Sequence, residues 1–146
     1  MARLIQISAA ANLAIHALAY LSACEKETLH SVSQIAHIMG VSEAHLSKVL
    51  QQLARFKMVK SSRGSKGGFS LARDPDDVTL LEIVEILDGP ISMDQCLLGT
   101  QLCQGGSCAL RKMLESVYKV VLEHLKCTRL SDFKITSVEG GGNGSE

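Results

Sequence analysis

There is no tryptophan in this 146-residue chain, and aromatic side chains together make up only 3% of it. A core without large rings has to be built from Leu, Ile, Val, Ala and Met, the mixture that packed helices favour, so sheet-rich architectures recede. Prolines number two, and no apolar run of about 20 residues is free of polar side chains, which argues against a membrane-spanning helix. An even cysteine count is missing as well. Five cysteines cannot all pair, which disfavours a secreted disulfide scaffold and points to the reducing cytoplasm. What is present, 46% hydrophobic and 21% charged residues, is the balance of one ordinary globular domain.

Arg3, the apolar stretch from Leu4 to Leu21 and the tetrapeptide Leu21-Ser22-Ala23-Cys24 share the outline of a lipoprotein signal. Gln6, Asn12 and His16 interrupt it, however, whereas Leu4, Ile7, Ala11, Ala14, Ile15, Leu18 and Leu21 fall on one helical face. A first amphipathic helix accounts for both observations.

Net charge is zero, with 15 Lys+Arg against 15 Asp+Glu, but the signs are segregated. Residues 1–73 carry an excess of six positive charges and residues 74–146 an excess of six negative ones. From Ala44 to Arg73 the basic residues Lys48, Arg55, Lys57, Lys60, Arg63, Lys66 and Arg73 meet no acidic one. A local cationic surface of this kind suits a polyanion.

That stretch also has a recognisable local order. Ser31 or Ser33 can cap a short helix with Val32, Ile35, Ala36 and Met39 on one face, ending at Gly40. Ser42 caps a second helix, with Leu46, Val49, Leu50 and Leu53 inward and His45, Ser47, Lys48, Gln51, Gln52 and Arg55 outward. The small Ala36, the turn at Gly40 and the apolar Leu46 have helix-turn-helix spacing, although a plain helical hairpin has the same pattern. Extended runs at Val59 to Ser62 and Phe69 to Ala72, joined by Arg63-Gly64-Ser65-Lys66-Gly67-Gly68, then read as a hairpin. Placed directly after the second helix, it forms a wing whose Arg63 and Lys66 can reach phosphate or a minor groove. Lys48 and Lys60 would add phosphate affinity.

Asp74-Pro75-Asp76-Asp77 closes this module, and Thr79-Leu80-Leu81-Glu82 has the form of a capping box opening a helix that ends at Asp88-Gly89-Pro90. Residues 91–107 lack periodicity. Leu110, Leu114, Val117, Val121 and Leu125 then mark a long amphipathic helix, suited to dimerisation or to packing on its own domain. The tail Glu139 to Glu146 is too polar and glycine-rich to bury anything.

Between the two helices Cys96, Cys103 and Cys108 are spaced C-x6-C-x4-C among Gly99, Gly105 and Gly106. The glycines allow the backbone to curl three thiolates together, and three soft ligands suit an iron–sulfur cluster or zinc. Cys108 falls where the last helix begins, whose partial positive charge favours a thiolate or an anionic cluster. His16 and His124 are candidates for a fourth ligand, and Cys24 and Cys127 read as packing residues or spare thiols.

The helix-turn-helix, the wing Arg63-Gly-Ser-Lys-Gly-Gly-Phe-Ser-Leu-Ala-Arg73, the Thr79 to Gly89 helix and the three-cysteine loop, in this order, resemble the Rrf-two family of bacterial transcription regulators. The resemblance runs from about Arg3 to Phe133. It implies a mainly α fold, a winged helix-turn-helix with a two-stranded wing and a long C-terminal dimerisation helix. It divides the chain into a DNA-binding domain at 1–90, a cysteine loop at 91–108, a dimerisation helix and C-terminal segment at 109–133 and a flexible tail at 134–146. It further implies a homodimer on a roughly palindromic double-stranded operator, acting as a repressor or activator, with a [2Fe-2S] or [4Fe-4S] cluster on Cys96, Cys103 and Cys108. Its DNA contacts fall on Ser42, His45, Ser47 and Lys48 of the second helix and on Arg63 of the wing. The gaps between the cysteines, six and four residues, depart from the five and five of IscR-like members, which carry a histidine where this chain has Arg111. At the position of the partner-subunit acid that completes the NsrR site stands Asn12.

Two other classes compete. A zinc or bare-thiol sensor would keep the fold, and an iron–sulfur electron carrier would bind no DNA; the basic stretch disfavours the latter. An enzyme is not expected, because no phosphate-binding glycine motif, nucleophile elbow or paired carboxylate site is present.

Overall fold

The structure, a computed structural model, describes residues 7–91 and 108–135. Five helices and one two-stranded antiparallel sheet account for them. Helix α1 (Ala9–Ala23) starts where Ser8 accepts a hydrogen bond from the Ala11 N–H. It packs against α3 (Glu43–Arg55), α4 (Leu80–Asp88) and strand β2 (Gly68–Leu71). Contact on several sides explains its burial, which includes Leu13, Ala17 and Ala19 as well as the face formed by Ala11, Ala14, Ile15, Leu18 and Leu21. Ile7, expected on that face, lies before the helix and is exposed, and Leu4 lies outside the described residues.

Ser31, rather than Ser33, caps α2 (Val32–Met39), and Gln34 returns a side-chain bond to the Ser31 N–H, completing a capping box. The helix stops because Gly40 adopts the left-handed conformation at φ 65°, where its N–H and that of Val41 fold back on carbonyls of the last turn. A side chain here would be strained by its own backbone. Buried Ala36 lets α2 lie close to α3, whose inward stripe Leu46, Val49, Leu50 and Leu53 is almost fully withdrawn from water. Burying each such residue contributes about 1.5–3 kcal/mol.

The wing has the expected place and nearly the expected limits. Strand β1 (Val59–Ser62) pairs with β2 in the register Val59 to Leu71, Lys60 to Ser70, Ser61 to Phe69 and Ser62 to Gly68. The chain leading into α2 adds a third edge, for His30 and Phe69 exchange both backbone bonds at 2.9 and 2.8 Å. Gly68 permits this, since a Cβ there would stand 2.5 Å from the His30 carbonyl oxygen.

Thr79 caps α4 by accepting from the Glu82 N–H, but the reciprocal half of the expected box is absent. The Glu82 carboxylate instead pairs with Arg73, which also donates to the Asp77 carbonyl at 2.9 Å. Charge attraction between the end of the wing and the start of α4 takes the place of the missing half of the box. After the long helix α5 (Ala109–Cys127) the chain returns to the body. Leu80 N–H donates to the Thr128 carbonyl and Leu130 N–H to that of Val78, and Leu130 is fully buried.

Replacing Gly68 with Ala should force the His30 to Phe69 bridge apart and cost about 1–3 kcal/mol, lowering Tm in a thermal melt by roughly 3–12 °C.

Candidate nucleic-acid interface and cysteine site

The backbone of α3 is fixed from behind by its apolar stripe, so its other faces are offered to solvent. Ser42 is the N-cap, its Oγ accepting from the His45 N–H at 3.4 Å, and its side chain is therefore engaged in starting the helix. His45 and Lys48 are exposed and Ser47 is half-buried. Ser47 is not alone, because the Gln51 amide one turn later donates to its Oγ at 3.1 Å. Gln52, expected outward with these residues, instead turns inward and donates to the Ile86 carbonyl of α4 at 2.7 Å.

A left-handed Lys57 (φ 58°) ends the helix and aims the chain into β1. Arg63 and Lys66 both sit in the connection between the strands and are exposed, with Gly67 N–H closing the turn on the Gly64 carbonyl at 3.0 Å. Of the seven basic residues between 44 and 73, Lys48, Arg55, Lys57, Lys60, Arg63 and Lys66 remain exposed, while Arg73 is committed to Glu82. Lys60 stands 3.9 Å from Glu27, both well exposed, a separation at which water and salt leave it largely available. Exposed cations with unencumbered stems are what phosphate contacts need.

The cysteine site is described at one of its three positions. Cys96 and Cys103 lie outside the described residues, with the rest of the 92–107 segment. Cys108 is the N-cap residue of α5 and is half-buried. Helix amides at that end favour a thiolate. Among the described residues no cluster of three or more His, Cys, Asp or Glu is arranged to hold a metal.

The fourth-ligand candidates fare differently. His124 lies in the last turn of α5, about 24 Å along the helix from Cys108 at 1.5 Å per residue, too far to share one centre with it in the same chain. His16 is exposed on α1 and turns Nδ1 to the Asn12 carbonyl at 2.8 Å. His30 packs edge-on against the Tyr20 ring with centroids 5.7 Å apart, a packing role.

The remaining cysteines are held as thiols. Burial pushes the Cys24 thiol up, partly offset by its hydrogen bond with Tyr20. At the exposed Cys127 the hydrogen bond to the Glu123 carboxylate, 3.3 Å away, does the same. Neither is poised as a thiolate at neutral pH, which sets them apart from a cysteine at a helix amino end.

Helix α5 carries two adjacent apolar faces where the sequence suggested one stripe. Leu114, Tyr118, Val121 and Leu125 are half-buried or buried, in a helix that packs on α4. Leu110, Met113 and Val120 are 48%, 49% and 57% exposed, and with Val117 they repeat at intervals of three and four. That is the spacing of a helix-pairing seam.

A two-helix reader with a basic two-stranded hairpin directly after it defines a winged helix-turn-helix protein. The chain belongs to the Rrf2 family, described as an iron-dependent transcriptional regulator, which it matches over residues 7–134. It is similar to an HTH-type transcriptional regulator of Aquifex aeolicus, 31% identical over 122 residues that cover 82% of this chain and 84% of that one. Among solved structures it resembles CymR, the global cysteine regulator of B. subtilis, at 28% identity and a TM-score of 0.75, over 88% of this chain and 95% of that one. It also resembles T. potens IscR at 27% identity and a TM-score of 0.69, over 88% and 85% of the two chains. Among the described residues no helix is long and apolar enough to cross a membrane.

Neutralising Glu123 as Glu123→Gln should lower the Cys127 thiol pKa, since the carboxylate is the largest influence raising it. Alkylation of Cys127 near neutral pH, followed by peptide mass spectrometry, should become several-fold faster while Cys24 is unaffected.

Proposed function

We propose that the chain is a homodimeric transcription regulator whose binding to a roughly palindromic operator is switched by an iron–sulfur cluster on Cys96, Cys103 and Cys108. The observation that carries the DNA half is the exposed face of α3, with His45 and Lys48, followed directly by a wing with exposed Arg63 and Lys66. In this reading His45 and Ser47 meet base edges and Lys48, Lys60 and Lys66 meet phosphates. Ser42 fixes the amino end of the reading helix, and in this reading its hydroxyl adds a phosphate contact. Arg63 enters the minor groove beside the site.

The α5 seam of Leu110, Met113, Val117 and Val120 would join two copies, placing two reading helices on successive turns of one DNA face. Residues 1–90 are then the DNA-binding unit, 91–108 the sensor and 109–133 the dimer helix and its return. The cluster half is supported by the donor set, three soft thiols, one of them at a helix amino end that stabilises thiolate charge. When bound, the cluster would supply iron-centred one-electron redox chemistry that thiols alone do not. Cys108 transmits its state to the dimer helix because it is the residue on which that helix starts.

A thiol or zinc sensor on the same fold is the second reading. It is favoured by the likeness to CymR, the global cysteine regulator, at the higher of the two TM-scores given above.

An absorption spectrum with iron and sulfide analysis on protein purified without oxygen separates the two. Visible absorbance with matching iron and sulfide, abolished by Cys103→Ala, is the expected result; a colourless, iron-free protein after anaerobic reconstitution selects the second reading. Arg63→Ala should weaken operator binding roughly tenfold and reduce the salt slope by about one without bleaching the cluster. Val120→Glu should halve the mass seen by analytical ultracentrifugation.

A further inference from the structure

Like any helix, α4 leaves its last carbonyls without intrahelical donors. Gly89 turns the chain out of the helix at φ 83° and ψ 177°, and Pro90 has no N–H, so the Ile86 carbonyl has no donor within α4. Gln52, on the reading helix and 34 positions earlier, supplies the missing donor. Its Nε2 lies 2.7 Å from the Ile86 carbonyl oxygen in a partly buried setting. Two further bonds hold the same short stretch. Asp88 Oδ2 accepts from the Ser8 N–H at 3.0 Å, and the Ile91 carbonyl accepts from the Tyr118 hydroxyl at 2.6 Å.

From this geometry we infer that Gln52 is a positioning residue for DNA recognition. It does not read the duplex. It fixes the rotation and depth of α3 by tying the helix to a carbonyl left open at the end of α4, and Lys48, one turn earlier, inherits its placement from that bond. The apolar stripe of α3 tolerates small sliding because its contacts are non-directional, whereas a directional bond at 2.7 Å does not. The inference rests on the DNA-binding reading of α3.

The test uses the full-length protein and an operator selected by the wild type from random double-stranded DNA. Gln52→Met keeps length and apolar stem and removes the donor. It is expected to bind the selected operator about tenfold more weakly with the same sequence preference, and with a salt slope shallower by no more than about one, the share of Lys48. Gln52→Met should also lower Tm, because the Ile86 carbonyl then loses its side-chain donor. Wild-type affinity in a Gln52→Met protein of lowered Tm would make Gln52 a purely structural residue and overturn the inference. A changed sequence preference overturns it in the other direction, by making Gln52 a base contact. A wild-type chain that enriches no DNA rejects the DNA-binding reading itself, and is told apart because the thermal comparison is made without DNA.

Discussion

Everything offered to a ligand depends on the burial of one side of α3. Leu46, Val49, Leu50 and Leu53 are removed from water against α1 and its neighbours, and this single stripe decides which way the rest of the helix points. A helix held by one apolar face has no freedom to hide its polar faces, so His45 and Lys48 are exposed by consequence. The wing inherits its position from the same anchor. Met58 N–H folds back onto the Leu53 carbonyl, and Ala72 N–H onto that of Met58, so the hairpin is an extension of the end of α3 rather than an independent arm.

The second dependency runs through the return of the chain after α5. Residues 128–130 pair with the strand-like approach to α4, and Leu130 fills the core that α1 and α4 share. Helix α5 is therefore gripped at its carboxyl end while its outer face stays open. A helix anchored at one end, with exposed Leu110, Met113 and Val120 spread toward the other, presents apolar surface that isolated surface residues do not explain. In the proposed dimer, pairing of two such seams would remove that surface from water.

Periodicity and caps made most of this legible. The stripe of α3, the Ser42 cap, the turn at Gly40, the wing limits and the end of α4 all depend on residues within a few positions of one another, where helix and strand periods speak directly. What the sequence hid is long-range. Gln52 looked like another outward polar residue because its partner is 34 positions away, and Glu82 looked like half of a capping box because the attraction of Arg73 is not visible in a four-residue window. Arg73 was counted with the cationic surface for the same reason. The stripe of α5 split into two faces because a helical wheel shows which residues are apolar and not which of them the body covers. The cysteine spacing was readable as chemistry, a set of soft donors ending at a helix start, but spacing carries no geometry.

These tertiary bonds constrain how the connection between α4 and α5 could act as the sensor proposed above. Its two flanks are joined to each other, since Tyr118 of α5 holds the Ile91 carbonyl, and α5 itself begins at Cys108. The α4 flank is in turn bonded to α3 through Gln52 and to the start of α1 through Asp88. A change in the segment therefore acts at its ends, on carbonyls and a carboxylate already committed to other elements. Only a ligand that favours one arrangement of these ends over another shifts the equilibrium, and by no more than its difference in affinity for the two. A rigid three-way hold on residues 86–91 makes such a difference expensive to ignore. Moving Ile86 by the length of a hydrogen bond breaks that tie to α3, so a displacement too small to unfold α4 is large enough to loosen the setting of the reading helix on its apolar stripe.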